Sequence, residues 1–222
     1  MLIKFKKHIQ TNFPNLKDQK LLLAISGGID SMVLLHLFQQ LNYNIAVAHC
    51  NFMLREEASN TDEDFVRTTC NTLKIPVYIQ KFDTVKVALD YKLSIQLAAR
   101  EIRYEWFSEL LKIKKLDYIL TAHHLDDEIE TFLINLTRGT GLEGLTGIPE
   151  VNGNIIRPLL PFSRAEIEEY ATENQIKWRE DASNSSNKYV RNKLRHDVIP
   201  ILKELNPSFL DTFKKTLDHL KD

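Results

Sequence analysis

The stretch Leu21–Phe38, LLLAISGGIDSMVLLHLF, constrains the fold more than any other part of the chain. Its short apolar run ends at glycine and reads as a buried strand. The following MVLLHLFQQL is apolar on nearly every side and reads as a buried helix. The same alternation continues. NIAVAHC is strand-like, SNTDEDFVRTTCNTL helical with Ser, Asn and acids at its start, IPVYIQKF a strand with proline at its edge, and LSIQLAAREIRYEWFSELLKI helical by apolar spacing. DYILTAH is a fourth strand, and DDEIETFLINLTRG a helix closed by glycine. IIRPLL is a fifth strand, weakened by Pro158. SRAEIEEYATENQ opens on a capping box, Ser163 and Glu166. Strands separated by helices imply an α/β fold, a parallel sheet with helices on both faces. Beyond it lies a C-terminal helical extension. A Ser/Asn-rich loop leads to the basic helix in YVRNKLRHDVIPIL, and SFLDTFKKTLDHL is one more amphipathic helix. That last helix either docks back on the sheet or begins a further domain.

The crevice beyond the carboxyl ends of such a sheet is where ligands bind. SGGIDS (Ser26, Gly27, Gly28, Ile29, Asp30, Ser31) sits there and opens a helix. Helix N-termini attract anions, glycines let backbone approach a ligand, and the two serines add hydroxyl donors. The loop is built like a phosphate cradle. A carboxylate in a phosphate site repels its ligand unless a cation stands between them, so Asp30 suggests Mg²⁺ bridging to phosphate oxygens. The alternative is a capped turn, with Ser26 or Asp30 merely capping the helix. The Gly-Lys-Ser/Thr ending of a Walker loop is absent.

A GxGxxG also occurs, at Gly139, Gly141 and Gly144. A dinucleotide fingerprint must follow a strand, and this one follows a helical run, so it is rejected as one. With Gly147 the stretch holds four of the seven glycines, which suits a helix cap and turn or a substrate-facing loop. In TAHHLDDEIE, His123, Asp127 and Glu130 fall at i, i+4 and i+7, one face if the segment is helical, with His124 and Asp126 pointing elsewhere. This polar stripe is a candidate site; a satisfied buried histidine beside a capped helix start is the plain alternative. A carboxylate-rich set suits Mg²⁺ better than a transition metal. Arg100 and Arg103 lie on neighbouring faces of their helix, and Arg191 and Arg195 on one stripe of theirs, joined by Lys188 and Lys193. Arginines suit phosphate and nucleic acid. A solvated basic face paired with Glu180 and Asp181 is the alternative.

Composition limits the partners. At 222 residues and 43% apolar the chain is one domain of good size, or one domain and a fragment. Its net charge of −1 provides no global field for nucleic acid or membrane, so any such partner must be met by a local patch. No apolar run approaches the ~18 residues of a bilayer span. MLIKFKKHIQ lacks the apolar region of a signal peptide. Cys50 and Cys70 form neither a C-x-x-C nor a zinc pattern, and a reduced, cytoplasmic location is expected.

SGGIDS resembles the signature loop of the N-type ATP pyrophosphatases, which cleave ATP between the α and β phosphates and adenylate a substrate. SGGIDS, AHCNFMLR, AAREIRY, TAHHLDDEIETFLINLTRGTGLEGL, RPLLPFSR, EDASN and YVRNKLRHDVIPIL, taken in that order from about Leu21 to Pro207, resemble the tRNA(Ile)-lysidine synthetases. That resemblance implies a Rossmann-like sheet of the adenine nucleotide alpha hydrolase type. It implies a PP-loop catalytic domain over residues 1–205, with 206–222 a helical linker or the start of a further domain that helps grip tRNA. It implies a ligase for which ATP, Mg²⁺, L-lysine and a tRNA(Ile) with a CAU anticodon are cofactors and substrates, a homodimer being compatible with it. The wobble cytidine's C2 oxygen would attack the α-phosphorus, and lysine would then displace AMP. By the same resemblance Ser26, Gly27, Gly28, Ile29, Asp30 and Ser31 hold ATP, with Asp30 on its Mg²⁺. His123, Asp127 and Glu130 line the cytidine and lysine pocket, and Arg103 and Arg195 grip the base or its developing charge. The competing readings are an adenylating relative acting on a small molecule or thiolating RNA, and a non-catalytic nucleotide sensor. The latter needs the phosphate loop only.

Overall fold

The computed structural model describes residues 1–180 and 190–221; Asp181, Lys188 and most of the EDASN segment lie outside these. The strands are β1 (Leu21–Ala24), β2 (Ile45–Asn51), β3 (Val77–Lys81), β4 (Tyr118–Leu120), β5 (Val151–Asn152) and β6 (Ile155–Ile156). The helices are α1 (Leu2–Asn12), α2 (Ile29–Gln40), α3 (Glu56–Leu73), α4 (Thr84–Asp90), α5 (Ile95–Lys114), α6 (Leu125–Arg138), α7 (Arg164–Glu173), α8 (Val190–Lys193), α9 (Ile199–Leu205) and α10 (Phe209–Lys221). One π-helical turn, Leu194–Val198, joins α8 to α9.

The six strands form one sheet in the order β3-β2-β1-β4-β6-β5. Pairing is parallel from β3 to β6. The expected parallel sheet is observed, with one antiparallel edge where β5 and β6 pair. A two-residue turn with Gly153 at φ +57° makes that hairpin, and turns this tight favour glycine. The fifth strand is thus only the Ile155–Ile156 pair, because the backbone leaves the sheet at Arg157–Pro158.

The period of a strand explains why LLLAI is apolar throughout. Leu21 and Leu23 face one core, with Val33, Leu37 and Phe38 of α2, Val66 of α3, and Ile167 and Tyr170 of α7. Leu22 faces the other, with Ala46, Ala48, Phe107, Leu110 and Leu111. A third cluster joins Leu125 and Ile129 of α6 to Ile199, Phe213 and Leu217, so α10 packs against α6. Phe132 and Phe213 meet edge-on with centroids 5.3 Å apart. Among the described residues no helix is long and apolar enough to cross a membrane.

β1 lies between β2 and β4, so the chain leaves it toward opposite sides. This switch point opens a crevice beyond the ends of β1 and β4. The turn after β1, residues 25–28, and the turn after β4, residues 121–124, both enter it.

Candidate active site

Gly27 takes φ +96°, a conformation strained for any side chain, and turns the chain from β1 into α2. Gly28 caps α2 in extended conformation. The loop is braced internally. Ser31 Oγ donates to the Gly28 carbonyl at 2.8 Å and accepts from the Gly27 N–H at 3.2 Å, and Gly28 N–H donates to Ser26 Oγ at 3.3 Å. Arg179 N–H donates to the Gly27 carbonyl at 2.9 Å, tying the segment after α7 to the loop. Beside it opens a cavity of about 940 Å³, lined by Ser26, Gly28, Asp30, Arg55, Arg164 and Trp178 among others. Two arginines share an acid at its wall. Arg55 Nη2 reaches Asp62 Oδ2 at 2.8 Å, and Arg179 Nε reaches Oδ1 at 3.0 Å.

Asp30 is engaged by Arg164, whose Nη1 lies 2.6 and 2.7 Å from the two carboxylate oxygens. Arg164 also gives Nε to Glu168 at 2.7 Å and its backbone N–H to Asp126 at 2.8 Å. It occupies the first turn of α7, which the Ser163/Glu166 capping box anchors. The Nε2 of His124 stands 3.7 Å from Asp30 and 3.6 Å from Asp127. His124 therefore points into the site, as does Asp126 through Lys203 Nζ at 2.7 Å and the Arg164 backbone, contrary to the expectation that both point elsewhere. Neither His124 nor Arg164 is singled out by sequence pattern. His124 is the helix N-cap, and the Arg164 partner lies 134 residues away.

The stripe of His123, Asp127 and Glu130 differs from its expectation in one member. α6 begins at Leu125, so His123 precedes the helix and sits in the turn, its Nδ1 2.9 Å from Thr121 Oγ1. Burial pushes its imidazole down to about 4, so the ring is neutral at pH 7. Asp127 Oδ2 accepts the His124 N–H at 3.0 Å. Glu130 is 0% exposed and receives Arg195 Nε at 2.6 Å and Nη2 at 3.0 Å. Arg195 Nη2 is also 3.5 Å from Asp127, and Arg191 Nε is 3.5 Å from Glu130. Arg191 further donates to Thr131 Oγ1 at 3.0 Å. The basic stripe thus lies on the acid stripe. Burial pushes the Glu130 carboxyl above its ordinary value and the Arg195 contact pulls it back, while both acids hold Arg195 in its charged form. Asp127 stays below the ordinary range despite burial, held there by the two histidines and the backbone N–H.

Arg103 stands on another side. Its guanidinium lies 5.0 Å over the Phe52 ring, past the end of β2, and its charge reaches Cys50. Gly139 closes α6 at φ +73°, Gly141 caps a 3₁₀ turn over Leu142–Leu145 and Gly144 lies within it, so the GxGxxG does follow a helix. Burial pushes the Cys50 thiol up to about 12 and Cys70 to about 11, which makes both poor nucleophiles. Among the described residues no three His, Cys, Asp or Glu side chains cluster to hold a metal unaided. Both Asp30 oxygens meet Arg164, so a cation on this carboxylate would share it with that guanidinium and draw its other ligands from outside the protein.

The chain is similar to several known proteins. A tRNA(Ile)-lysidine synthase of Porphyromonas gingivalis is 45% identical over 205 residues, covering 92% of this chain and 45% of the relative. One from Chlorobaculum tepidum is 49% identical over 187 residues, covering 82% and 56%. The chain spans about half the length of these curated relatives. Among solved structures, the U34-tRNA thiolase NcsA of Methanococcus maripaludis superposes with a TM-score of 0.75 at 21% identity, over 98% of this chain and 79% of that one. Its likeness establishes the fold alone. The PP-loop domain, a family that binds ATP, matches residues 1–202. With the braced Ser-Gly-Gly loop at the β1–β4 switch point and this match over nearly its whole length, the chain belongs to the PP-loop domain family.

Proposed function

We propose that the chain carries the catalytic site of a tRNA(Ile)-lysidine synthase, joining L-lysine to C2 of the wobble cytidine of a CAU-anticodon tRNA(Ile) at the expense of ATP. The observation that carries this reading is the 45% identity, over 205 residues and 92% of this chain, to a protein of that name. Cytidine C2 oxygen attacks the α-phosphorus and pyrophosphate leaves. A lysine amine, its ammonium proton released to water, then forms the C2–N bond as the C2–O bond breaks and AMP departs with that oxygen.

The residues divide this work. Ser26, Gly27, Gly28, Ile29 and Ser31 present the backbone and hydroxyl donors of the loop to the polyphosphate. Asp30 would hold Mg²⁺, which when bound offsets phosphate charge. Arg164, already on Asp30, is placed to follow the phosphates. Arg195 is the cation for the base as negative charge develops during adenylation, with Glu130 fixing its orientation from the buried side. Asp127, which keeps its charge, faces the lysine ammonium, and neutral His123 lines the cytidine. Arg103 contributes a guanidinium held over the Phe52 ring.

Sustained pyrophosphate release that requires both tRNA and lysine tests the reading. Asp127→Asn should raise the lysine concentration needed for turnover with little change in the ATP requirement. Turnover on a small-molecule acceptor without tRNA would overturn it.

A further inference from the structure

A second cavity, of about 460 Å³, opens between α5 and the β5–β6 hairpin. That is within the usual size range of ligand pockets. Its lining includes Arg100, Lys112 and Arg157, with Tyr104, Asn152 and Asn154, and among the described residues no acid. Elsewhere around the site the arginines are already matched: Arg195 and Arg191 by Glu130, Arg164 by Asp30 and Glu168, Arg55 and Arg179 by Asp62. Arg100, Lys112 and Arg157 make no ion pair among the described residues.

Arg157 is the telling member. It is only 5% exposed, and its Nε is buried without a hydrogen-bond partner. Nη1 donates to the Pro149 carbonyl at 2.6 Å, which supplies no counter-charge. A cation buried beside two exposed cations and no carboxylate is costly unless an anion completes it. The Arg100 guanidinium lies 4.9 Å over the Tyr104 ring, which holds it at the cavity. Arg157 also follows β6, next to β4, and its charge is felt at His123. The Arg157 end of the cavity therefore faces the active site, whereas Asn154 pairs with the start of β4 and Lys112 lies near the end of α5, toward the opposite edge of the sheet.

We propose that this cavity is a phosphate site that receives the RNA backbone next to the reacting nucleotide, with Arg100 and Lys112 at its mouth and Arg157 at its base. The inference rests on the lysidine synthase reading for its choice of RNA. The shared chemistry is phosphate, and free pyrophosphate is the other source. A chain of net charge −1 needs a local patch for RNA, and the patch on Arg191 and Arg195 is spent on Glu130 and Thr131.

The test uses the 222-residue chain with Arg100→Gln and Lys112→Gln combined; both side chains are exposed, so folding is spared, and Arg157 is left in place. tRNA affinity is measured across salt concentrations, pyrophosphate binding by calorimetry, and turnover against ATP and lysine. The expected result is about tenfold weaker tRNA binding and a log–log salt slope shallower by roughly 1.4, at about 0.7 per lost single-strand phosphate contact, with the ATP requirement unchanged. Loss of pyrophosphate binding with tRNA binding intact would assign the site to the free anion and overturn the RNA assignment. A rise confined to the lysine requirement would assign it to a carboxylate and overturn the phosphate. Unchanged binding and slope would overturn the site outright. Failure of the unmodified chain to turn over with tRNA and lysine would instead count against the functional reading, and the salt slopes would still decide the site.

Discussion

Arg195→Ala should expose how much the interior depends on one guanidinium. Glu130 is 0% exposed and takes two of its hydrogen bonds from Arg195, at 2.6 and 3.0 Å. Removing one partner of a buried ion pair costs about 3–5 kcal/mol, because the other charge is left without compensation. Here Arg195 is 35% exposed and Arg191 stays 3.5 Å away, so water and a second cation absorb part of the loss. About 1.5–2.5 kcal/mol is a reasonable expectation after that discount. For a domain of this size it corresponds to a Tm lower by roughly 3–10 °C. Burial already raises the Glu130 carboxyl, and losing Arg195 raises it further. A raised folded-state value means that stability is complete below the ordinary carboxylate range and is lost as pH climbs through the folded value. The deficit should therefore be larger at pH 8 than at pH 5. Adding Glu130→Gln removes the stranded charge at nearly constant shape and should restore most of the loss. The assay is denaturant and thermal unfolding of the four proteins in the cycle, at both pH values. A Tm unchanged by Arg195→Ala, or single effects that simply add in the double variant, would refute the argument.

Asp30→Asn should leave the fold intact, since its side chain is partly exposed at the cavity wall, yet abolish Mg²⁺-dependent ATP use; equilibrium ATP binding with and without Mg²⁺ checks this. Burial pushes Glu128 up to about 7, with Lys221 3.9 Å away drawing it down and Glu150 and Asp218 raising it further. Its stabilising contribution is complete below about 4.5 and lost as pH rises through about 7, so Glu128→Gln should flatten the fall in stability between pH 5 and 8 by about 3 kcal/mol, read by urea unfolding. Gly27→Ala should cost about 1–3 kcal/mol and weaken ATP binding, because the loop holds φ +96° although a methyl would meet Val66 and Phe65 only at ordinary contact distance. Equal stability in the alanine variant would show that the loop relaxes without loss.

Local features of this chain were legible before folding. The two-sided burial of β1 shows as an unbroken apolar run, the Ser163/Glu166 box marks the start of α7, and Gly139 marks the end of α6. The Ser-Gly-Gly loop is legible for the same reason, since φ +96° at Gly27 is a demand on one residue that only its own identity can meet. The Gly153–Asn154 pair is a hairpin signal too, but two-residue strands are too short to carry a pattern. The i, i+4, i+7 spacing puts His123 on one face with Asp127 and Glu130 only if the helix reaches it, and the Asp127–His124 backbone contact starts the helix two residues later. The pairings that define the site could not be read in the sequence. Asp30 meets Arg164 across 134 positions, Glu130 meets Arg195 across 65, and Arg179 meets the Gly27 carbonyl from beyond α7. Periodicity reports which side of an element is apolar, because burial acts on each residue separately. Which charge neutralises which depends on distance in space, and only the packing of α6, α7 and the π-helical turn around the β1–β4 crevice sets it.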